Sequence, residues 1–193
     1  MSESRNKTVE VIWKLVLISV VSAVLLGITY VPTHDQLKIN YEEARTVTLA
    51  DIMPQADSFE AVYGDTIINE DGDREVLYYR AKDASGNLIG YAFFCEQPGA
   101  QGNIDIAGGV DSSFRIIKGM DVMRHSETPG LGAKITEPWF RDQFSNVELE
   151  KLSLSKDGGA IDSITGATIS SQAVVDALNK QVSVVQEAEA QKR

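Results

Sequence analysis

The sequence predicts an α+β protein in which one apolar helix precedes a domain with an antiparallel sheet and flanking helices. Three observations predict this fold: a long apolar stretch near the start, two pairs of strand-like runs in the middle, and a helical repeat of apolar residues near the end. The chain has 193 residues, of which 43% are hydrophobic and 24% are charged. This balance is typical of a globular protein, and the length suits one domain with one additional element.

The apolar stretch extends from Val11 to Val31, and Lys14 is its only charged residue. As an α-helix it is about 32 Å long, which is enough to cross a bilayer core of about 30 Å. Trp13 and Tyr30 lie near its two ends, and such side chains favour the membrane interface. The stretch therefore predicts a single transmembrane anchor, within residues 1–34, that contacts membrane lipid.

The charges of this region predict the orientation of the anchor. Arg5, Lys7 and Lys14 outnumber its acidic residues, which favours a cytoplasmic N-terminus and an extracytoplasmic domain in a cell-membrane protein. A cleaved signal peptide is the alternative, because Val21-Ser22-Ala23 has the small residues of a cleavage site. Cleavage there would leave the apolar residues from Val24 to Val31 at the new N-terminus, so we favour the uncleaved anchor.

Pro32 is expected to end the anchor, and the domain is expected over residues 35–185. Its first element is a helix from Asp35 to about Met53, stopped by Pro54. Four strands follow an acidic turn at residues 69–73, because short apolar runs there alternate with turn residues. The predicted strands are Glu75–Lys82, Leu88–Glu96, Asn103–Val110 and Phe114–Val122, of which the first two form a hairpin.

Two helices are predicted in the last third of the chain. Pro138 suits the first turn of one helix. Apolar residues at three- and four-residue spacing predict a second, amphipathic helix. These residues are Val174, Leu178, Val182 and Val185. A polar tail is expected over residues 186–193.

Charge and cysteine content exclude several functions. The formal net charge is −10, so the acidic chain is expected to be repelled by the phosphates of nucleic acids. Cys95 is the only cysteine, which excludes an internal disulfide and an iron–sulfur cluster held by this chain alone. We expect Cys95 to be a small buried residue. Any redox cofactor of this chain is therefore expected to be organic.

The segment D-S-I-T-G-A-T-I-S-S, from Asp162 to Ser171, places hydroxyl side chains around a Gly-Ala pair before the amphipathic helix. An ordinary explanation is that Ser170 or Ser171 caps the helix, which contributes about 1 kcal/mol. The functional explanation is a phosphate site, because a helix N-terminus favours anions and because Gly166 and Ala167 leave the backbone open. The P-loop pattern is absent, which excludes a nucleotide triphosphatase of that type.

A second segment, H-S-E-T-P-G-L-G, extends from His125 to Gly132. Pro129 and Gly130 are good turn formers, so a plain surface turn explains it. The alternative is a loop that lines a binding site. We expect His125 to be satisfied within the protein or to face solvent, and not to take part in redox chemistry.

Together these two segments resemble the motifs of covalent FMN-binding domains. Residues 162–168 resemble the acidic residue followed by [ST]-G-A-T at which such domains attach FMN, and residues 127–132 resemble their E-T-P-G-L-G loop. These domains occur in the G subunit of the Rnf electron-transport complex and in the C subunit of the sodium-pumping NADH:quinone oxidoreductase. The resemblance covers nearly the whole chain, and its compact length favours the Rnf type.

The resemblance implies that Thr168 carries FMN through a phosphoester bond. It implies that Asp162, Thr165 and Ser171 present this segment to a separate flavin transferase, which uses FAD and magnesium. Residues expected near the cofactor are Gly166 and Ala167 in this segment and Glu127, Thr128, Gly130, Leu131 and Gly132 in the other. Glu127 and Thr128 are expected to hydrogen-bond polar atoms of the flavin ring, and Leu131 to cover a ring face.

The function implied by the resemblance is electron transfer within a membrane-bound, ion-translocating oxidoreductase complex of the Rnf type. The chain would act with the other subunits of that complex and not as an independent catalyst. The corresponding C subunit of the sodium-pumping complex is one alternative. A cofactor-free, membrane-tethered assembly module is a second alternative. An anchored hydrolase is a third, although the sequence lacks a G-x-S-x-G signature.

Overall fold

The structure, a computed structural model, describes the backbone of residues 2–68 and 74–191. The chain divides into two compact units, residues 1–46 and 47–193, a boundary later than the one predicted near residue 34. Helix α1 extends from Ser2 to Ile52, so Pro32 does not end a helix and residues 35–53 are not a separate one. Proline removes a single helical hydrogen bond, and here the turns on both sides of it remain helical.

The first unit contains the apolar stretch of α1. From Val11 to Leu26 every described side chain is exposed, including Trp13 at 65% and Leu26 at 70%. Side chains of residues 27–31 lie outside those that the structure describes. Among the described residues, no helix combines the length and the hydropathy that crossing a membrane requires.

Six strands of the second unit form one antiparallel sheet in which spatial order follows chain order. They are β1 (Ser58–Ile68), β2 (Arg74–Lys82), β3 (Leu88–Pro98), β4 (Asn103–Asp111), β5 (Ile116–His125) and β6 (Val147–Glu148). The four predicted strands are confirmed as β2 to β5. The predicted hairpin is the β2–β3 pair, in which Tyr79 faces Ala92. The acidic turn predicted at residues 69–73 lies outside the described residues.

Helix α3, from Thr168 to Gln191, covers one face of this sheet and packs against β3 and β4. Val174, Leu178, Val182 and Val185 are each at most 1% exposed, which confirms the predicted apolar face. The helix crosses β4 closely, because a Cβ added at Gly108 would lie 2.6 Å from Leu178 Cδ2. Residues of α3 and of the sheet therefore share one hydrophobic core.

Short helical segments connect β5 to α3. Helix α2 spans Pro138–Arg141, as Pro138 predicted. The 3₁₀ segments are Gly132–Thr136, Asp142–Phe144, Leu149–Lys151 and Ser155–Asp157. Ile135, Phe140 and Phe144 are fully buried, so these segments join the core beneath the start of α3.

The opposite face of the sheet receives the end of α1. Leu49, Ile52 and Met53 pack there against the small side chains of Ala81, Ala92 and Ala107. A Cβ at Gly109 would lie 2.8 Å from Ile52 Cγ2, so the sheet has room for α1 only because this residue is glycine. The last residues of α1 are thus part of the second unit.

The C-terminal residues differ from the prediction. The polar tail expected from residue 186 is wrong for residues 186–191, because α3 continues to Gln191. Glu189 is only 8% exposed and accepts hydrogen bonds from Tyr78 and Arg80. These partners lie on β2, far away in the sequence, so a local pattern of polar residues did not reveal them.

Candidate functional site at the start of helix α3

The two sequence motifs meet at the start of α3. Ser170 Oγ donates a hydrogen bond to Glu127 Oε2 at 2.5 Å. Leu131 Cδ2 lies against Gly166, 3.3 Å from where a Cβ on that glycine would be. The segments are separate in the sequence, and the fold brings them into contact at two points.

The Glu127 carboxylate is enclosed by protein donors. It is 5% exposed, and its Oε1 accepts from the amides of Ala100 at 2.8 Å and Gln101 at 3.0 Å. Burial acts to raise the pKa of Glu127, but hydrogen bonds from Gln101, Ser170 and Ala100 outweigh it and hold this pKa below its usual range. Glu127 is therefore a charged residue of the scaffold, and its expected contact with a flavin ring remains a prediction.

Glycine is required at positions 130 and 132 of this loop for different physical reasons. A Cβ at Gly132 would lie 2.5 Å from Glu127 Oε2 and 2.7 Å from Ser170 Oγ, so no side chain fits there. Gly130 has a φ of +76° and open space around it, so it is required by backbone conformation. Thr128, Gly130 and Leu131 are exposed, so the outer surface of the loop is accessible.

The segment from Asp162 to Ser171 forms a tight turn before α3. Gly166 has a φ of +80°, and the Ala167 amide donates to the Ile164 carbonyl at 2.9 Å. Ser171, which is fully buried, closes this turn: its Oγ accepts from the Ile164 amide at 3.0 Å and donates to the Ala167 carbonyl at 3.1 Å. The Ser171 hydroxyl therefore shapes the segment from inside the protein.

Thr168 is the first residue of α3, and it is exposed together with Thr165 and Gly166. The expectation that Ser170 or Ser171 occupies the cap position is wrong, because both lie within the helix and their hydroxyls bond elsewhere. In the described part of the chain, the amides of Thr168, Ile169 and Ser170 have no paired acceptor. The helix start thus offers an exposed hydroxyl beside free N–H groups, which suits an anion.

Asp162 lies at the outer end of the segment with its side chain exposed. Its amide donates to Gln143 Oε1 at 2.7 Å, and Gln143 Nε2 donates to its carbonyl at 3.4 Å. Gln143, Ser170 and the amides of Ala100 and Gln101 are site residues that the sequence did not predict. Among these, only Ser170 could have been found from the sequence, because it lies two residues after Thr168 in the same predicted segment.

His125 and Cys95 have ordinary structural roles. His125 Nδ1 accepts a hydrogen bond from the Glu127 amide at 3.2 Å, which agrees with the expectation of a satisfied histidine. Cys95 is half-buried on β3, with its Sγ 3.9 Å from the Ala177 carbonyl oxygen. Burial raises the pKa of Cys95 to about 12, so its thiol is largely protonated at neutral pH.

A surface threonine on a small-residue turn, next to unpaired amides, can accept a phosphate ester without a clash. Ala167 is 7% exposed and Gly166 has no side chain, so neither blocks the Thr168 hydroxyl. Leu131 at 46% and Ile169 at 65% exposure place apolar surface next to the turn at Gly166 and on the first turn of α3. The residues present therefore fit a ligand that has both a phosphate and an apolar ring.

The chain matches one family model and is similar to solved structures. The model of the FMN-binding domain family matches residues 99–183, a range that contains both motifs. Among solved structures, the chain is similar to the C subunit of the Na(+)-translocating NADH-quinone reductase from Parabacteroides distasonis. That match has a TM-score of 0.49 and 24% identity, and it covers 66% of this chain and 75% of that chain.

Curated relatives match almost the full length. The chain is 49% identical over 185 residues to the G subunit of the ion-translocating oxidoreductase complex from Methanosarcina acetivorans, covering 96% of this chain and 97% of that protein. It is 29% identical to the G subunit of the Na(+)-translocating ferredoxin:NAD(+) oxidoreductase complex from Acetobacterium woodii, covering 95% and 98%. The chain therefore belongs to the family of G subunits of ion-translocating oxidoreductase complexes.

Proposed function

We propose that this chain carries FMN bound covalently to Thr168 through a phosphoester and transfers electrons within a membrane-bound, ion-translocating oxidoreductase complex. The observation that carries the proposal is the exposed Thr168 hydroxyl at the first residue of α3, in a segment that the contacts of Ser170 and Gly166 hold beside residues 127–132. Thr168 is the first helical residue of α3, so its hydroxyl does not occupy the N-cap position that precedes a helix.

Attachment at Thr168 is a phosphoryl-type transfer from FAD. The Thr168 Oγ–P bond forms, the phosphoanhydride bond of FAD breaks, AMP leaves, and the hydroxyl proton is released. The chain gains one FMN less one water. No oxidation accompanies this step, so a flavin transferase with FAD and magnesium is sufficient.

The residues around Thr168 would hold the cofactor through its phosphate and ring. Amides of Thr168, Ile169 and Ser170 are available to the phosphate, as is the exposed Thr165 hydroxyl. Leu131 lies on the exposed side of the neighbouring loop and would contact the ring. When bound, FMN supplies the electron-transfer chemistry, and the protein supplies position and electrostatics. The covalent tether would keep the flavin in place whatever its redox state.

The partners follow from the family. Relatives are named as subunits of ion-translocating and Na(+)-translocating oxidoreductase complexes. We propose that this chain likewise works with other subunits, which provide the electron donor, the electron acceptor and the ion pathway. The chain is then an electron-carrying part of a translocase and not an enzyme by itself.

We also propose that residues 11–31 anchor the chain in the cell membrane, with the domain outside. Support comes from α1, where apolar side chains from Val11 to Leu26 are exposed in the described residues and only Lys14 is charged. Exposure of this much apolar surface to water is unfavourable. Membrane fractions washed with carbonate test the anchor: the full chain should remain in the pellet, and a chain starting at Asp35 should be released.

The attachment is tested by flavin fluorescence in a denaturing gel after expression with a flavin transferase. Wild-type chain should retain fluorescence after denaturation, and Thr168→Val should lose it. Ser183→Ala is the matched control, because it removes another exposed hydroxyl of α3 that lies away from the site, and it should remain fluorescent. Fluorescence that persists in Thr168→Val would contradict the assignment of the attachment residue.

A further inference from the structure

Three segments converge on the Glu127 carboxylate. The turn at residues 99–102 supplies the amides of Ala100 and Gln101, the start of α3 supplies the Ser170 hydroxyl, and Glu127 itself belongs to the loop at residues 127–132. Both carboxylate oxygens are occupied, and the group is 5% exposed. Ser170 is the only one of these donors that lies in the attachment segment among the described residues.

Helix geometry links Ser170 to the direction of Thr168. Successive residues of an α-helix are rotated by about 100°, so residues two apart point about 200° apart, on nearly opposite sides of the axis. Ser170 is 1% exposed, whereas Thr168 is exposed. A bond that keeps Ser170 pointing into the protein therefore keeps Thr168 pointing out of it.

The surrounding backbone restricts the hydrogen bond between Ser170 and Glu127. A Cβ at Gly132 would lie 2.7 Å from Ser170 Oγ and 2.5 Å from Glu127 Oε2, so the backbone of Gly132 borders both partners. Ser171, the next residue, bonds only within its own segment, to the Ile164 amide and the Ala167 carbonyl. Of the two buried serines, Ser170 is the one that fastens the segment to the rest of the site.

We propose that Ser170 is a positioning residue for flavin attachment: by bonding to Glu127 it fixes the first turn of α3 so that the Thr168 hydroxyl faces outward, toward the flavin transferase. This inference rests on the proposed attachment at Thr168. Ser170 acts here through its side chain, by way of Glu127 and the helix, and its hydroxyl does not touch FMN.

The test is the rate of FMN attachment to the full chain by a purified transferase with FAD and magnesium, followed by intact mass. Rates are divided by the folded fraction, measured by circular dichroism at the same temperature. Ser170→Ala should lower the rate at saturating chain concentration by about tenfold, the effect of losing a hydrogen bond to a charged group. The concentration of chain that gives half the maximal rate should stay within about twofold, because the outer surface is unchanged.

Ser183→Ala is the matched control. Ser183 lies on the same helix, is exposed, and donates to the Asn179 carbonyl at 3.0 Å, away from the site. Its rate should equal that of the wild type. Equal rates for Ser170→Ala and Ser183→Ala would overturn the inference, as would a fall that disappears once rates are divided by the folded fraction.

A double-variant cycle tests whether Ser170 acts through Glu127. Glu127→Gln retains the shape of the side chain and an acceptor for the Ala100 and Gln101 amides, so it is expected to fold. In this background Ser170→Ala should have clearly less effect than in the wild type, because the charged acceptor is already lost. An equal effect in both backgrounds would overturn the inference. Absence of any attachment to the wild type, with a control substrate modified, would instead refute the proposed function itself.

Discussion

Two buried carboxylates hold the two ends of α3, and their donors differ. Near its start, Glu127 is 5% exposed and accepts from two backbone amides and the Ser170 hydroxyl. Near its end, Glu189 is 8% exposed and accepts from the hydroxyl of Tyr78 at 2.5 Å and from Arg80 at 2.8 Å. Tyr91 adds a longer bond of 3.4 Å to the second oxygen of Glu189.

The difference shows what each end of the helix does. The donors of Glu189 are side chains of the sheet, including a cation, so they tie α3 to β2 and β3 and stabilise the fold. The donors of Glu127 are neutral and come from the loops that carry or border the two motifs. We infer that the carboxylate at the end of α3 contributes stability alone, whereas the one at its start also sets the conformation of the site.

Removal of Glu189 should produce the largest loss of stability. Glu189→Ala leaves Arg80 and the Tyr78 hydroxyl without their acceptor, and Arg80 is only 30% exposed. The free energy of unfolding should fall by about 2 to 3 kcal/mol, measured by urea denaturation. Attachment of FMN at a temperature where the variant is folded should be unchanged.

Glu187→Ala is the control for this experiment, because Glu187 is exposed on the same helix. Its free energy of unfolding should stay within about 0.5 kcal/mol of the wild type. A folded Glu189→Ala variant that attaches FMN much more slowly would contradict the division of roles between the two ends.

Gly132→Ala should disturb the Glu127 carboxylate at the start of α3. The new Cβ would lie 2.5 Å from Glu127 Oε2, so the loop or the start of α3 has to shift. We expect about 2 kcal/mol of destabilisation by urea denaturation, together with slower attachment of FMN. Gly119→Ala is the control, since its Cβ would meet no atom closer than 3.6 Å. Equal stability of the two variants would show that Gly132 is not tightly packed.

Low pH should remove the stabilisation that the Glu127 and Glu189 carboxylates contribute at the two ends of α3. Burial acts to raise the pKa of Glu127 and Glu189, but their hydrogen-bond donors outweigh it, and both pKa values lie below the usual 4.5. A carboxyl with a lowered folded-state pKa stabilises the protein above its unfolded pKa, and this contribution disappears as the pH falls through the folded value.

The free energy of unfolding should therefore decrease as the pH falls below about 4.5, measured by urea denaturation across that range. Glu189→Gln should show a flatter decrease, because the variant has no proton to bind at that position. The same slope in the wild type and in Glu189→Gln would mean that Glu189 does not contribute to acid sensitivity.

Cys95 should give the smallest effect. Burial raises the pKa of its thiol to about 12, so very little of it is thiolate at neutral pH. The folded chain should react with iodoacetamide at pH 8 far more slowly than the urea-unfolded chain. Cys95→Ala should leave FMN attachment unchanged. Rapid labelling of the folded chain would show that Cys95 is reactive and accessible.

The sequence predicted most of the sheet and the apolar face of α3, because these depend on local patterns. Strands β2 to β5 follow from runs of apolar residues between turns, and α3 from the spacing of Val174 to Val185. Strand β1, which pairs with β2, was not predicted. The helical state of residues 186–191 was also missed, because Glu189 is held by residues of β2.

The sequence predicted only part of the site, because it reveals local motifs but not contacts between distant residues. Motif residues such as Thr168 and Gly166 could be located from the sequence. The hydrogen bonds from Ala100 and Gln101 to Glu127 could not, because they join residues that are distant in the chain and include backbone groups, which leave no pattern of side chains. Only the fold shows that Glu127 faces inward.

The most direct test of the attachment is the intact mass of the full chain after expression with an active flavin transferase. We predict a gain equal to one FMN less one water in the wild type, mapped by proteolysis to the peptide that contains Thr168 and absent from Thr168→Val. An unmodified wild-type mass, with the transferase shown to be active on a control substrate, would contradict the central claim that Thr168 is the attachment residue.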